Sequence, residues 1–174
     1  MRRVAFLALF VTMATLASSG CREEPRLRGA RTREPGAATD RVVEASAARV
    51  RFEPAGEGDV VALVRELVTR ARAEGRAPMV YVGATWCEPC RYFHAAAERG
   101  ELDAQLPPIT FLEFDRDHDG ERLDAAGYRS RMIPLFVSPN DDGTPSERRM
   151  EGSIHGAGSP QEIVPRMLAI LPPR

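Results

Sequence analysis

The stretch TWCEPC, residues 85–90, holds two cysteines separated by two residues, with a tryptophan before the first and a proline before the second. A Cys-x-x-Cys pair is typical of half a metal site, of a structural crosslink, or of two thiols that exchange electrons. A bridge between Cys87 and Cys90 closes a very short loop and removes little entropy from the unfolded chain. A purely structural crosslink would therefore add little stability. The flanking sequence has to decide between a metal site and a redox-active pair.

The motif lies between a predicted strand and a predicted helix. Residues 78–84 (PMVYVGA) form a compact β-rich run typical of a buried central strand, and helical residues follow the cysteines over 91–106. Upstream, residues 49–53 predict a short edge strand. Gly58 and Asp59 then start a helix whose apolar face runs from Val60 to Ala71, and Gly75 ends it.

The downstream sequence completes one α/β domain. It predicts a strand over 109–114, a short helix over 119–128, a strand over 133–137, a turn at 140–143 and a hairpin partner over 148–153. Ser159, Pro160 and Glu162 predict a capping box that opens the last helix. The predicted order of elements over residues 49–174 is therefore β-α-β-α-β-α-β-β-α.

This order, the WCEPC motif and the downstream Met132-Ile133-Pro134 together resemble the thioredoxin-like superfamily. Residues 125–134 (AAGYRSRMIP) are similar to the thioredoxin segment that leads into its cis-proline. The resemblance is strongest to exported members, namely periplasmic thiol:disulfide reductase domains and the membrane-tethered thioredoxin-like proteins of cytochrome c maturation. It implies a thioredoxin fold, with a central mixed β-sheet flanked by helices.

The resemblance implies a role for each residue of the motif. Cys87, at a helix N-terminus, is expected to be the nucleophile, because unpaired N–H groups and the helix dipole stabilise its thiolate. Cys90 is expected to attack the resulting mixed disulfide and release the product. Pro89 lies in the first turn, where a missing N–H costs little. Trp86 is expected either to form an apolar rim for substrate or to pack in the core.

Three further residues refine the predicted chemistry. The resemblance implies that Ile133–Pro134 is a cis peptide bond and that the Ile133 backbone pairs with an extended substrate segment. Glu88 is a carboxylate beside Cys87, so it is expected to oppose the helix dipole and make the pair a weaker oxidant. We therefore expect a reducing protein with no cofactor other than the redox-active Cys87–Cys90 disulfide.

The chain departs from the superfamily at the proton relay of its second cysteine. Thioredoxins usually carry a buried acid six residues before the first cysteine, and Tyr81 stands there. The lysine that partners this acid is replaced by Phe111. Tyrosine is a poor base because its ordinary pKa is near 10. Glu88, Glu113 or water remain as candidates for the relay.

The first 48 residues predict export. Residues 1–20 combine Arg2 and Arg3, an apolar run and small residues, which is typical of a signal peptide. The small residues lead into Cys21, which resembles the lipidated cysteine of bacterial lipoproteins, although Ser18 stands where a branched aliphatic residue is usual. The alternative is an ordinary signal with a chance cysteine. Residues 21–48 predict a solvated tether, so we expect a cell-envelope protein anchored to a membrane through Cys21.

Composition narrows the function classes. The formal net charge is −1, so nothing points to nucleic acid, and the sequence contains no lysine, which excludes a catalytic lysine. With Cys21 lipidated, a single cysteine pair excludes a multi-bridge scaffold. His94 follows Cys90 by four residues and could complete three metal ligands, but closed zinc sites need four.

Several polar residues are interpreted as structural. Residues 115–120 (DRDHDG) resemble the start of a calcium loop, but its twelfth position is Ala126 instead of glutamate, so a solvated loop is predicted. His118 and His155 have no visible partner in the sequence. Arg129 and Arg131, near Pro134, are interpreted as surface residues, with contact to substrate as the alternative.

Three functional hypotheses follow. The leading one is an exported, membrane-tethered protein-disulfide reductase that takes electrons from an upstream thiol donor and passes them to disulfide-containing proteins. The alternative is a non-catalytic binding module of the same fold, such as a copper chaperone. The third is a strong oxidant or an isomerase.

Overall fold

Residues 50–172, the part of the chain that this computed structural model describes, contain nine helices and strands in the predicted order. They are β1 (Arg51–Pro54), α1 (Val60–Ala73), β2 (Ala77–Gly83), α2 (Glu88–Glu98), β3 (Ile109–Asp115), α3 (Arg116–Ala125), β4 (Leu135–Val137), β5 (Arg149–Glu151) and α4 (Ser159–Ile170). The predicted signal peptide, Cys21 and the tether lie outside the described residues. No helix within the described range is both long and apolar enough to cross a bilayer.

The strands form one mixed sheet in the order β1-β3-β2-β4-β5. Strands β1 and β2 run parallel to β3, whereas β4 is antiparallel to β2 and β5 is antiparallel to β4. The predicted edge and central positions of β1 and β2 are confirmed. Each face of the sheet carries its own apolar core, one built with α2 and α4 and the other with α1 and α3. The predicted α/β architecture is confirmed, and it is the one that the resemblance to thioredoxins implies.

Helix α1 forms as its apolar spacing predicts. Its buried positions, Val60, Val64, Leu67, Val68 and Ala71, lie on one face. The carboxylate of Asp59 accepts a hydrogen bond of 2.8 Å from the backbone N–H of Ala62, which satisfies a donor that the first turn leaves unpaired. The helix packs on β2 and β3, so it supports the strand that leads into the cysteine motif.

Helix α2 is shorter than predicted. It begins at Glu88 and ends at Glu98, and the residues predicted as its last turns form a series of turns. Gly100 has a φ of 72°, a left-handed conformation that glycine adopts without a steric penalty and that cannot continue a helix. Leu102 and Leu106 in this segment are buried against the core of α2 and α4, which explains why the apolar pattern resembled a continued helix.

Strand β4 begins two residues later than predicted. The pattern of Ile133 and Pro134 is apolar, but Pro134 has no backbone N–H to donate to a neighbouring strand. The strand therefore starts at Leu135, which pairs with Val82 of β2 and with Glu151 of β5. The Ile133–Pro134 peptide bond is cis, as the resemblance implies.

The predicted capping box of α4 is wrong. The cap is Gly158, and Ser159 is buried within the first turn with no hydrogen bond to its hydroxyl oxygen. The carboxylate of Glu162 is engaged elsewhere, because it accepts hydrogen bonds from the Ser153 hydroxyl at 2.7 Å and from Arg166 at 2.6 Å. The hydrogen bond from Ser153 joins α4 to the segment that follows β5.

The predicted solvated loop over residues 115–120 is also wrong, because most of it is the start of α3. Asp115 caps this helix by accepting hydrogen bonds from the backbone N–H groups of Asp117 and His118. Asp119 is buried and accepts hydrogen bonds from the Asp115 backbone and from Arg122, with His118 also 2.7 Å away. Burial by itself would raise the pKa of Asp119, but these hydrogen bonds outweigh it and hold the pKa below its ordinary value.

Candidate active site

Cys87 and Cys90 form a disulfide at the start of α2, with an S–S distance of 2.03 Å. Cys87 is the cap residue of the helix, in an extended conformation, and its Sγ accepts the backbone N–H of Cys90 at 3.3 Å. The predicted placement of the motif between the central strand and a helix N-terminus is therefore confirmed. Pro89 lies in the first turn, where no helical N–H bond is lost.

Cys87 lies on an open groove of about 690 Å³. The groove is lined by Trp86, Cys87, Glu88, Pro89, Arg116, Asp117, Ser130, Arg131, Met132, Ile133, Gly152, Ser153 and His155. Of the predicted site residues it therefore brings together Trp86, Cys87, Glu88, Pro89 and Ile133, whereas Cys90 does not line it and Pro134 is buried. The Cys87 residue is only 3% exposed in the disulfide form, so its sulfur lies at the floor of the groove.

Two exposed apolar side chains border this groove. Trp86 is 62% exposed and Met132 is 58% exposed, which contradicts the alternative that Trp86 packs in the core. The Trp86 indole donates a hydrogen bond of 2.7 Å to the Asp117 carboxylate, so the ring is oriented by the first turn of α3. Large exposed apolar side chains beside a reactive group are typical of a surface that contacts another molecule.

Glu88 has a partner that the sequence did not reveal. One of its carboxylate oxygens lies 2.7 Å from Nδ1 of His155, in the segment between β5 and α4. His155, predicted to have no partner, therefore lies beside the cysteine motif. The contact holds the Glu88 carboxylate towards the segment between β5 and α4.

Cys90 lines a second cavity, of about 470 Å³, on the other side of the motif. Its lining includes Tyr81, His94, Glu113 and His118. Cys87 is absent from this lining, just as Cys90 is absent from that of the groove. The two cysteines thus lie in different environments. Cys87 borders a groove with apolar edges, and Cys90 borders a cavity that is lined by several titratable groups.

Tyr81 occupies the position of the missing acid. Burial, followed by the charge of Glu113, raises the pKa of Tyr81 far above its ordinary value, so the phenol stays neutral. Phe111 lies 6.2 Å from it between ring centroids, in an aromatic cluster on the same face of the sheet. The residues at the two relay positions therefore build the core instead of moving a proton.

His94 is neither a free surface side chain nor simply packed. Its Nε2 lies 2.7 Å from Oε1 of Glu113 on β3. The imidazole stacks on Phe52, with 3.9 Å between ring centroids. Among residues 50–172 no group of three or more histidine, cysteine or acidic side chains is arranged to hold a metal ion.

The two arginines near Pro134 differ in position. Arg131 lines the groove and its backbone N–H donates to Glu151. Arg129 is exposed and lies 3.6 Å from Asp124 of α3. Only Arg131 is therefore placed to meet a molecule bound in the groove.

Comparison with known proteins gave matches to solved structures alone. No family model and no curated protein matches the chain. A mutant thioredoxin from Halobacterium salinarum is 16% identical, with a TM-score of 0.42, over 68% of this chain and 89% of that one. Fasciola hepatica thioredoxin is 24% identical, with a TM-score of 0.41, over 68% and 98%. Trichomonas vaginalis thioredoxin is 24% identical, with a TM-score of 0.35, over 59% and 85%.

Proposed function

We propose that this chain is a thiol–disulfide oxidoreductase in which Cys87 attacks substrate and Cys90 resolves the intermediate. The observation that carries the proposal is the position of Cys87, which caps α2 at the floor of a groove that also contains Trp86 and Ile133. A helix N-terminus stabilises a thiolate at this position. The groove gives an extended polypeptide access to the sulfur.

The proposed reaction moves two electrons from the cysteine pair to a substrate protein. The Cys87 thiolate attacks one sulfur of a substrate disulfide, forms a mixed disulfide and expels the other sulfur as a thiolate. Cys90 then attacks the Cys87 sulfur, which closes the Cys87–Cys90 disulfide and releases the second substrate thiolate. A dithiol donor reduces the pair again by the same two steps in reverse order.

We propose that the pair works in the reducing direction, because Glu88 places a carboxylate in the first turn of α2. A negative charge there disfavours the thiolate form and lowers the reduction potential. Equilibration with glutathione is expected to give a potential towards the thioredoxin end, about −270 mV, and a value above about −150 mV would contradict the reducing assignment.

The variant Glu88→Gln tests whether the Glu88 carboxylate lowers the reduction potential of the cysteine pair. Removal of the carboxylate stabilises the thiolate, so we expect the potential to rise by about 5 to 20 mV, as for one charge near a helix terminus. The variant His155→Asn separates the contribution of the residue that holds the Glu88 carboxylate. A potential that stays the same or falls on substitution would show that Glu88 does not tune the pair.

The proposed location is the cell envelope, with the domain tethered through a lipid on Cys21 and with disulfide-containing proteins as substrates. The support is the signal-like run of residues 1–20, followed by Cys21 and a polar segment. Membrane fractionation tests it, because Cys21→Ser is expected to move the protein from the membrane to the soluble fraction. Recovery of the unsubstituted protein in the soluble fraction would overturn the lipid anchor.

The deciding experiment is reduction of insulin disulfides by dithiothreitol in the presence of the protein. We expect catalysed precipitation of the insulin chains at protein concentrations far below that of insulin. Stoichiometric uptake of Cu(I) without any catalysis would instead indicate a binding module of the same fold.

A further inference from the structure

Cys90 needs a proton acceptor that the residue at position 81 does not supply. Cys90 is 3% exposed and its side chain belongs to the apolar core beneath α2. Apolar burial raises the pKa of a thiol, yet only the thiolate attacks a disulfide. If the proposed function holds, a nearby group has to take the Cys90 proton during resolution.

The cavity beside Cys90 limits the candidates. Its charged and titratable lining residues are Tyr81 of β2, Arg91 and His94 of α2, Glu113 and Asp115 of β3, and His118 and Asp119 of α3. Tyr81 stays neutral because its pKa is strongly raised, and arginine does not give up its proton in proteins. Asp115 is occupied as the cap of α3, and Asp119 already accepts several hydrogen bonds.

The two histidines on the cavity differ in orientation. The His118 Nδ1 lies 2.7 Å from Asp119, its side chain is 67% exposed, and its Nε2 points towards Glu57 at 3.7 Å. His94 instead follows Cys90 by one helical turn, so their Cβ atoms are about 5–6 Å apart. A water molecule in the cavity can span such a separation by hydrogen bonds.

Glu113 holds the imidazole of His94 in place. It lies opposite Tyr81 in the register of β2 and β3, and its Oε1 is 2.7 Å from Nε2 of His94. Through this contact the imidazole and the carboxylate can take up a proton as one unit, because one group holds the proton that the other shares. The stacked ring of Phe52 restricts the imidazole further, and Glu98 lies 3.9 Å from Nδ1 on the solvent side.

We propose that the His94–Glu113 pair is the proton acceptor for Cys90, acting through a water molecule in the cavity. Cys90 loses its thiol proton to this water, which passes a proton to the pair. The electron pair of the Cys90 sulfur forms the bond to the Cys87 sulfur. The bond between Cys87 and the substrate sulfur breaks, and its electrons leave with the substrate thiolate. The imidazolium is then held by the Glu113 carboxylate.

The same pair serves the reverse step. When a donor thiolate attacks the Cys87 sulfur of the disulfide, Cys90 leaves as a thiolate inside an apolar core. The protonated pair returns a proton to it through the same water, which removes the cost of a buried charge. The proposal thus gives His94 and Glu113 a role in both halves of the cycle.

Rapid mixing of the reduced protein with excess 5,5′-dithiobis(2-nitrobenzoate) tests this role. Attack by Cys87 releases one coloured thiolate in a phase whose rate depends on reagent concentration. Attack by Cys90 releases a second one in a phase whose rate does not. For His94→Asn we expect the first phase to be unchanged and the second to be slower by about 100-fold, the lower end of the usual range for a general base.

The pH dependence of the second phase separates proton transfer from a structural effect. In the unsubstituted protein this rate is expected to show an inflection that His94→Asn abolishes. Glu113→Gln is expected to move the inflection to lower pH, because an amide stabilises an imidazolium less than a carboxylate does. His118→Asn is the matched control, with the same substitution on the same cavity, and is expected to leave both the rate and the inflection unchanged.

The possible outcomes distinguish failure of the proposed function from failure of the proposed role of His94 and Glu113. Absence of both phases in the unsubstituted protein would refute the proposed function itself. A normal first phase together with an unchanged second phase in His94→Asn, or a shift of the inflection in His118→Asn, would overturn the role of the pair. If His94→Asn does not fold, Glu113→Gln decides, and an unmoved inflection there refutes the proposal.

Discussion

Cys87→Ser is expected to reduce insulin turnover to the uncatalysed rate, a loss of at least about 1000-fold, as is common when a covalent nucleophile is removed. The reason is that a hydroxyl at this position keeps its proton near neutral pH, even with the N-terminus of α2 beside it. No mixed disulfide forms, so neither Cys90 nor the groove can contribute. Comparison of the initial rates of insulin precipitation for the two proteins measures the effect.

Cys90→Ala is the informative counterpart, because it removes turnover at a later step. Cys87 can still attack, so the protein is expected to accumulate as a covalent complex with substrate that disappears when a reductant is added. Cys21→Ser controls for the change in cysteine content and is expected to keep full turnover. Persistent catalysis in Cys87→Ser, or trapping by Cys87→Ser and not by Cys90→Ala, would mean that the two roles are wrongly assigned.

The architecture was predictable from sequence because its signals are local. The apolar spacing of α1, the compact run of β2 and the position of the cysteines between a strand and a helix each follow from neighbouring residues. The error in the capping box arose because contacts outside the motif compete for the carboxylate that the motif assigns to the cap. Glu162 was predicted to cap its own helix, but Ser153 and Arg166 engage its carboxylate.

Some residues of the candidate site were predictable from sequence and their partners were not. Cys87, Cys90 and Pro89 are contiguous, so the motif alone located them. The partners of Glu88 and His94 are His155, 67 residues away, and Glu113, 19 residues away. Neither spacing is regular, and no sequence pattern specifies that β3 and the segment after β5 meet α2 at these two residues. The histidine partners of Glu88 and Glu113 therefore became visible only in the folded chain.

A cluster of aromatic rings packs between the sheet and the helix that begins with the cysteine motif. Phe93 on α2 is fully buried, with its ring centroid 5.0 Å from that of Phe136 and 5.9 Å from that of Phe111, both edge-on. Cys87 and Cys90 belong to the same core cluster. Aromatic contacts of this geometry stabilise a core beyond the area that they bury. The position of the disulfide on the sheet thus depends on how Phe93 anchors its helix.

Phe93→Ala is expected to lower the free energy of unfolding by about 3 to 5 kcal/mol, because it removes a large apolar side chain and leaves a cavity that the sheet cannot fill. Such a loss is a large part of the roughly 5 to 15 kcal/mol that stabilises a typical domain. Urea unfolding of the disulfide form measures it. Tyr92→Ala is the matched control, one residue earlier on the same helix and 38% exposed, and it is expected to change stability by about 0.5 kcal/mol or less. Equal effects of the two substitutions would mean that α2 does not pack on the sheet through the face that carries Phe93.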